Sequence, residues 1–277
     1  MIEVRCFMDT LNAIKRKIFK LKKNAKMNRR VTKEESEKIR LDIITEVDEF
    51  CRKNGITYFL AFGTLLGAIR HKGYIPWDDD TDIMMPRDDL EKFKKIFVSE
   101  KYKYSDVDTE CGYEYPFPRI TYKKTYDKKG LVAKYYGVNV DLYPIDGLPS
   151  SDEEIEKFFS RYRSLLKLRL FWIRIRNKLM RCLPISNLPF IKFLTKRCIN
   201  HIRTYKRDES VKNMVIDCGR VYSKSIFDNS VEVEFEGRKF LAPIGWDEFL
   251  RTRYGDYMQL PPENQRHPYH GGDYYWK

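Results

Sequence analysis

Apolar positions recur at the helical period between Lys33 and Lys53. Thr32 and Glu35 form a capping-box pattern at the start of this stretch, and Asn54-Gly55 is a stop signal at its end. The pattern predicts one amphipathic helix. Its apolar face consists of Ile39, Ile43, Ile44, Val47 and Phe50.

The run from Ile56 to Phe62 is short, β-branched and aromatic, which predicts a buried strand. It ends at Gly63, so the strand leads into a turn at Gly63-Thr64 and then into a short helix from Leu65 to Arg70. A strand, a Gly-Thr turn and a helix start together form the layout of a phosphate cradle.

Ile83-Met84-Met85 continues a second strand, and Asp88 with Glu91 predicts a capped helix running to about Glu100. Further strands are predicted at Arg119 to Thr125, Val132 to Tyr136 and Val138 to Tyr143, after which Pro144, Gly147 and Pro149 end the sheet portion.

The sequence from Ser151 to about Tyr205 is helical and strongly basic. Pro184 and Pro189 break it, so a second helix is predicted from Phe190 to Tyr205. A cationic stripe on the first helix is typical either of a solvated face or of a helix lying on anionic lipid. The stripe consists of Arg163, Lys167, Arg174, Lys178 and Arg181, and the apolar positions away from it are Leu165, Leu168, Trp172, Ile173, Ile175 and Leu179.

Glu236-Gly237 separates two short strand patterns, Val231 to Phe235 and Arg238 to Leu241, and predicts a hairpin. A short helix follows from Trp246 to Tyr254. The sequence thus divides into four segments: a basic amphipathic arm at 1–30, a catalytic core at 31–150, a basic helical insertion at 151–210, and a hairpin, helix and tail at 211–277 that complete the catalytic domain.

Composition adds a strong positive charge to this picture. The 277 residues carry a formal charge of +13, which suits nucleic acid, an anionic membrane surface or a phosphorylated substrate. The six cysteines are dispersed without zinc-finger spacing, as expected of free thiols in a reducing cytosol. No long uncharged apolar run and no signal-peptide layout are present, so a cytoplasmic protein is expected, with peripheral contact at the inner membrane face as the alternative.

Against this positive charge, four aspartates occupy the five positions from Asp78 to Asp82. Such carboxylates repel one another unless a cation neutralises them. Asp80 and Asp82 alternate on a predicted strand, so both face one side and can ligate a hard cation, whereas Asp78 and Asp79 are not expected among the ligands. Asp141 lies between apolar residues on another predicted strand, where a lone carboxylate is costly to bury.

Three carboxylates beside a Gly-Thr turn are typical of metal-assisted phosphoryl chemistry. Gly63 allows close backbone approach and the Thr64 hydroxyl adds a donor, which together predict an anion seat. Arg70, His71 and Lys72 follow at the end of the short helix, where they are candidates to bind a second phosphate or stabilise leaving-group charge.

These residues also carry a resemblance. The stretch from Gly63 to Gly73, continued by Ile75 to Ile83 and Met85-Pro86-Arg87, resembles the LicD family of phosphocholine transferases, related to fukutin-type phosphosugar transferases. Asp141 to Pro149 resembles the second block of that family, and Tyr254-Gly255 with Asp256 and Pro261-Pro262 resembles its closing block.

The resemblance implies an α+β, nucleotidyltransferase-type mixed β-sheet flanked by helices, here with the basic helical insertion. It implies transfer of a phospho-alcohol from a CDP-activated donor to a glycan or lipid-linked glycan acceptor. It also implies Mg²⁺ or Mn²⁺ bound by Asp80, Asp82 and Asp141, and phosphate at Gly63 and Thr64. Trp77 and Tyr143 lie in these blocks and are candidates to contact choline, because quaternary ammonium ions bind aromatic faces.

Three other functions remain open from the sequence. Nucleotidyl transfer with pyrophosphate release uses the same groups, and a metal-dependent glycosyltransferase would use Asp80-Thr81-Asp82. A basic membrane- or nucleic-acid-binding module would explain the charge without chemistry. It would leave the three aligned carboxylates unexplained, since carboxylates repel phosphate, so nucleic acid is not expected as a partner.

Overall fold

The computed structural model describes residues 29–110, 113–127, 136–179, 189–215, 219–268 and 271–277. The predicted arm at 1–30 lies outside the described residues except for Arg29 and Arg30. Arg181 of the predicted stripe and most of the strand predicted from Val132 to Tyr136 also lie outside the described residues.

The described residues form six α-helices, and the helices predicted from local pattern are found. Thr32 and Glu35 make the predicted capping box, with Glu35 N donating to Thr32 Oγ1 at 3.2 Å, and Gly55 ends the helix at φ 59°. The first helix buries Ile43 and Ile44 against the sheet. The helices are α1 (Lys33–Asn54), α2 (Phe62–His71), α3 (Arg87–Ile96), α4 (Asp152–Leu179), α5 (Pro189–Ile202) and α6 (Trp246–Tyr254).

A mixed, curled sheet lies at the centre, in the order β1-β2-β6-β4-β3, with β7 paired to β6 and β8 to β7. Among the sheet strands of the described residues, only β2 and β6 pair in parallel, and the other pairings are antiparallel. This α+β architecture is the one that the sequence predicted. The strands are β1 (Phe59–Leu60), β2 (Asp82–Pro86), β3 (Tyr102–Ser105), β4 (Arg119–Tyr122), β5 (Thr125–Asp127), β6 (Asn139–Gly147), β7 (Lys212–Val215), β8 (Tyr222–Ser223), β9 (Ser230–Phe235), β10 (Arg238–Pro243) and β11 (Tyr274–Trp276).

The prediction that Pro144 ends the sheet portion is wrong, because β6 continues through Pro144 to Gly147. On one side of β6, β4 pairs with residues 139–141 and β7 pairs with residues 145–147. Pro144 falls in the gap between these two partners, where its missing N–H removes no ladder hydrogen bond.

The prediction of a turn at Gly63-Thr64 is also wrong. The strand is only Phe59–Leu60, and α2 begins at Phe62, so Gly63 and Thr64 lie in the first helical turn. Phe62 has a φ of 43°, a left-handed value that is strained for a bulky residue. This backbone reversal lets the helix start directly after Ala61, whose N–H donates to Asp82 O at 3.0 Å.

The third helix is shorter than predicted and has no side-chain cap, since it starts at Arg87 after Pro86 and places Asp88 inside its first turn. It ends at Ile96 because Phe97 turns to an extended conformation and stacks on Phe93, with ring centroids 4.5 Å apart. The chain then enters β3, which the sequence analysis missed.

The basic insertion is helical as predicted, and Arg163, Lys167, Arg174 and Lys178 are exposed. Its buried face, however, is not purely apolar, because Arg169 and Arg176 are buried there. Arg169 donates to Thr195 Oγ1 at 3.2 Å, and Arg176 pairs with Glu114. None of the described helices is long and apolar enough to cross a bilayer.

The predicted hairpin is confirmed, with Glu236 and Gly237 both at positive φ between β9 and β10. The Glu236 carboxylate accepts from Tyr74 N at 3.0 Å, so the hairpin tip supports the segment after α2. The C-terminal β11 pairs with β5 and bridges to Arg30, which ties the end of the chain to the beginning of its described part.

Candidate active site

Asp82 and Asp141 lie side by side on neighbouring strands. They are register partners in the parallel pairing of β2 with β6, and they are 5% and 7% exposed. Because register partners project to the same face of a sheet, the two carboxylates share one face. Asp80 differs from the prediction, since β2 begins at Asp82 and leaves Asp80 in the preceding loop.

The Asp82 carboxylate is buried among other carboxylates. Its Oδ1 accepts no hydrogen bond from any residue that the structure describes. The pKa of Asp82 is raised well above its usual value, first by loss of solvation and then by the charges of Asp80, Asp141 and Asp78. A buried oxygen in this electrostatic setting calls for a proton or a cation.

Asp78 joins this group, although the sequence analysis set it aside. Burial, the charge of Asp80 and a hydrogen bond with Asp80 raise the pKa of Asp78 to about 7. A Cβ on Gly63 would lie 2.2 Å from Asp78 Oδ2, so the glycine is what allows the carboxylate to reach the first turn of α2. Asp79, by contrast, faces the C-terminal tail and accepts a hydrogen bond from Gly271 N.

Asp141 is held by a cation and an amide. Arg119 contacts it with both Nε and Nη2, at 2.7 Å from Oδ1 and 2.9 Å from Oδ2, and Asn139 Nδ2 donates to Oδ1 at 2.5 Å. The Arg119 guanidinium is only 3.5 Å from the centre of the Tyr115 ring, which fixes its orientation. Tyr274 of β11 donates to Asn139 Oδ1 at 3.4 Å, so the C-terminal strand supports the same network.

The hydroxyl of Thr64 has a structural partner at the site. Thr64 is 4% exposed, and its Oγ1 accepts the backbone N–H of Asp82 at 2.9 Å. This bond fixes the start of β2 against the first turn of α2. Gly63 and Thr64 therefore position Asp78 and Asp82, in addition to the phosphate role expected from sequence.

The basic residues at the end of α2 have different surroundings. Arg70 donates from Nη1 to Tyr257 O at 2.7 Å, so it ties α2 to the segment after α6. Burial and then the charge of Arg70 lower the pKa of His71, which leaves its imidazole neutral at neutral pH. Lys72 is exposed and ends the helix in a left-handed conformation at φ 58°.

The two candidate aromatic residues are already packed against neighbours. Arg266 lies over the Trp77 ring, 5.3 Å from its centre. Tyr143 is 7% exposed and packs against Phe62 and Phe117, with ring centroids 4.9 and 4.4 Å away. Tyr143 is thus part of the wall on the Asp141 face of β6 and offers little open ring surface.

Arg253 and Tyr254, at the C-terminal end of α6, also border the aspartates. Loss of solvation raises the pKa of Tyr254, and the charges of Asp82 and Asp78 raise it further, whereas Arg253 opposes the shift. The guanidinium of Arg253 lies 5.3 Å from the Phe62 ring. A cationic group and a phenol hydroxyl therefore stand near the carboxylates.

Sequence reasoning missed Arg119, Asn139 and Arg253 as site residues. Arg119 and Asn139 meet Asp141 only through the antiparallel pairing of β4 with β6, which no local pattern announces. Arg253 precedes Tyr254-Gly255 of the closing block, and that block was the signal that could have identified it.

The chemistry of this donor set fits a divalent cation. Carboxylate oxygens are the ligands that Mg²⁺ prefers, and the buried Oδ1 of Asp82 needs positive charge. No three acidic, histidine or cysteine side chains among the described residues are already grouped to hold one ion. The Asp141 carboxylate is directed at Arg119 and Asn139, whereas Asp82 lies close to Asp80 and Asp78.

Comparison with known proteins agrees with this geometry. A family model described as LicD/FKTN/FKRP, nucleotidyltransferase domain, matches residues 55–172, which include Asp78 to Asp82 and Asp141. The lipopolysaccharide cholinephosphotransferase LicD of Haemophilus influenzae is 29% identical over 263 residues, covering 87% of this chain and 97% of that protein. The chain is similar to the LicD family along most of its length. It is a LicD-like transferase, and the matched domain extends into α4 of the basic insertion.

Two further relatives share a shorter part of the chain. An uncharacterized protein of Rickettsia typhi is 36% identical over 75 residues, 25% of this chain and 24% of that protein. An uncharacterized protein of Rickettsia prowazekii is 47% identical over 68 residues, 22% of this chain and 26% of that protein.

Proposed function

We propose that this chain transfers phosphocholine, or a similar phospho-alcohol, from a CDP-activated donor to a hydroxyl of a cell-surface glycan or its lipid-linked precursor, and releases CMP. The observation that carries the proposal is the paired Asp82 and Asp141 on parallel strands, with an unpaired buried oxygen at Asp82. Similarity along 97% of a lipopolysaccharide cholinephosphotransferase supports the substrate class.

Asp80 and Asp82 would hold Mg²⁺ or Mn²⁺, with Asp141 as the third carboxylate. When bound, the cation neutralises phosphate oxygens of the donor. Arg119 orients Asp141 through two contacts, and Thr64 fixes the backbone at Asp82. These supporting contacts hold the carboxylates in place before the donor binds.

In the transfer, the acceptor oxygen forms a bond to the phosphorus that bears the alcohol, and the bond from that phosphorus to the CMP oxygen breaks. A carboxylate of the site accepts the hydroxyl proton. Arg70 and Arg253, which both lie near Tyr254, would stabilise charge on the phosphates.

The donor can be tested directly with a panel of CDP-choline, CDP-ribitol and CDP-glycerol, supplied with Mg²⁺ and a lipopolysaccharide that lacks phosphocholine. We expect CMP release from one donor, dependent on the acceptor and abolished by EDTA. Pyrophosphate release from CTP, with no CMP from any of these donors, would instead establish nucleotidyl transfer, the other reaction that this domain supports, and contradict the proposal.

A further inference from the structure

The positive charge of the chain is concentrated in one segment. Residues 157–207 contain fifteen Lys and Arg and no Asp or Glu, whereas the chain as a whole carries +13. The remainder therefore has a net charge of −2. This segment contains most of α4 and all of α5, so the charge belongs to one pair of packed helices.

The same two helices expose a contiguous apolar surface, here called the aromatic patch: Leu168, Phe171, Trp172, Phe190 and Phe193. Phe171 is 56% exposed, Phe193 is 51% exposed, and Leu168 and Phe190 are more than 40% exposed. Ring contacts link the patch across the two helices, with 5.1 Å between the centroids of Trp172 and Phe190 and 6.2 Å between Phe190 and Phe193. Large aromatic side chains gathered on an exposed face mark an interaction surface.

Cations border the aromatic patch. Lys167, Phe171, Arg174 and Lys178 follow one another at helical spacing, so the ring of Phe171 projects from within a cationic stripe. All four are exposed, and none of the ion pairs between described residues involves these three cations. On the buried side of α4, by contrast, Arg176 forms an ion pair with Glu114.

This combination favours one kind of partner over the alternatives. A second copy docked symmetrically on the same face would bring the cationic stripe against itself, and like charges repel. An anionic bilayer offers acyl chains for the aromatic patch and phosphate groups for the Lys and Arg side chains. We propose that α4 and α5 lie on an anionic membrane surface, with the aromatic patch at the boundary between headgroups and acyl chains.

The proposal goes beyond the transferase activity, and its test needs neither donor nor acceptor. Purified full-length chain is mixed with vesicles of phosphatidylcholine alone or of phosphatidylcholine with phosphatidylglycerol, and the bound fraction is measured by sedimentation. We expect binding to the anionic vesicles only, weakening as salt is added.

Two variants probe the two components of the surface. The triple variant Lys167→Gln/Arg174→Gln/Lys178→Gln should weaken binding roughly a hundredfold. Each Lys or Arg near an anionic surface strengthens binding roughly fivefold, and the three factors multiply. The double variant Phe171→Ser/Phe193→Ser should weaken it by roughly tenfold or more, because it removes inserted apolar area.

Two control variants remove the same number of exposed cations or exposed apolar side chains outside α4 and α5. Lys38→Gln/Lys53→Gln/Lys95→Gln removes three exposed cations outside the segment, and Val98→Ser/Met258→Ser removes two exposed apolar side chains. Both controls should bind anionic vesicles as the parent chain does. Circular dichroism of every variant checks that the helices are retained.

Three results would overturn the proposal. The first is absence of binding to anionic vesicles, and the second is equal binding to neutral and anionic vesicles. The third is equal loss in the patch variants and their controls, which would assign binding to another part of the chain. If the first result is found, a dimer of the parent chain that dissociates in the Phe171→Ser/Phe193→Ser variant would assign the patch to a second copy.

Discussion

Gly63 and Asp78 show how a single missing side chain shapes the candidate site. The Asp78 carboxylate occupies the space that a Cβ on Gly63 would fill, beside the first turn of α2. The carboxylates of Asp78, Asp80 and Asp82 repel one another. The backbone amides at the start of a helix favour a nearby negative group, so the position of Asp78 beside α2 offsets part of this repulsion.

Replacing Gly63 with Ala should therefore displace Asp78 and lower transferase activity at least about tenfold, since displacing a site group by about 1 Å is costly. The coupling between the two residues is tested by measuring the free energy of unfolding in urea. In an Asp78→Ser background, where the shorter side chain removes the contact, Gly63→Ala should stabilise the chain by about 0.5–1 kcal/mol, because Ala has the higher helix propensity. Equal effects of Gly63→Ala in both backgrounds would show that the two residues are not coupled.

The raised pKa of Asp78 predicts a pH-dependent stability. The pKa is about 7 in the folded chain against a usual value of 3.8. Between these values the folded state retains a proton that the unfolded state has released, so the free energy of unfolding falls as pH rises through this window. Asp78→Asn should gain ~1–2 kcal/mol over the parent chain at pH 8 and little at pH 4. Urea unfolding at both pH values measures this, and the same gain at both would contradict it.

At the scale of elements, the site depends on how β6 is paired. Its parallel pairing with β2 brings Asp82 to Asp141, and its antiparallel pairing with β4 brings Arg119 to Asp141. A second pair of the same kind lies at the other end of these strands, where Arg87 contacts Asp146 at 2.6 and 2.9 Å. Asp78, Asp80, Asp82 and Asp141 form one aspartate cluster. The two Arg–Asp pairs share their chemistry, but only the Arg119–Asp141 pair lies in this cluster.

This duplication provides a matched comparison. Arg119→Lys and Arg87→Lys should each destabilise the chain by about 2–4 kcal/mol, because lysine cannot make both contacts to a buried carboxylate. Only Arg119→Lys should also raise the Mg²⁺ concentration for half-maximal activity, by about tenfold or more, since it alone orients a site carboxylate. A similar change in both variants would mean that Arg119 acts only through stability.

An element could be predicted when the residues that determine it are close together in sequence. The first helix, the hairpin at Glu236-Gly237 and α6 were predicted because their caps, turn residues and periodicity are local. The strands β3, β7 and β8 were missed because they are short and take their stability from pairing partners distant in sequence. Pro144 was misjudged because its tolerance depends on a gap between two other strands.

The same distinction applies to the candidate site. Asp82 and Asp141 could be predicted because a carboxylate beside an apolar strand is conspicuous in sequence. The contribution of Asp78 was missed because it comes from the shape of the loop before β2, and that of Arg119 because it comes from strand register.

At the scale of the whole molecule, distant segments converge on the acidic loop. The tail reaches it through Gly271 and Arg266, which contact Asp79 and Trp77, and β11 supports Asn139 through Tyr274. Arg70 of α2 binds the segment after α6 through Tyr257. The C-terminal tail, α2 and the segment after α6 thus meet near one group of carboxylates.

Phosphocholine transfer at the aspartate cluster should require Asp82 and should tolerate a change at Asp79. The most direct measurement is incorporation of methyl-labelled choline from CDP-choline into a lipopolysaccharide acceptor, comparing Asp82→Asn with Asp79→Asn. Both variants replace one carboxyl group of the stretch from Asp78 to Asp82 by an amide, but Asp82 lies close to Asp80 and Asp141, whereas Asp79 faces Gly271. The account predicts Mg²⁺-dependent labelling by the parent chain and by Asp79→Asn, and none by folded Asp82→Asn. Labelling by Asp82→Asn at the parent rate would contradict it.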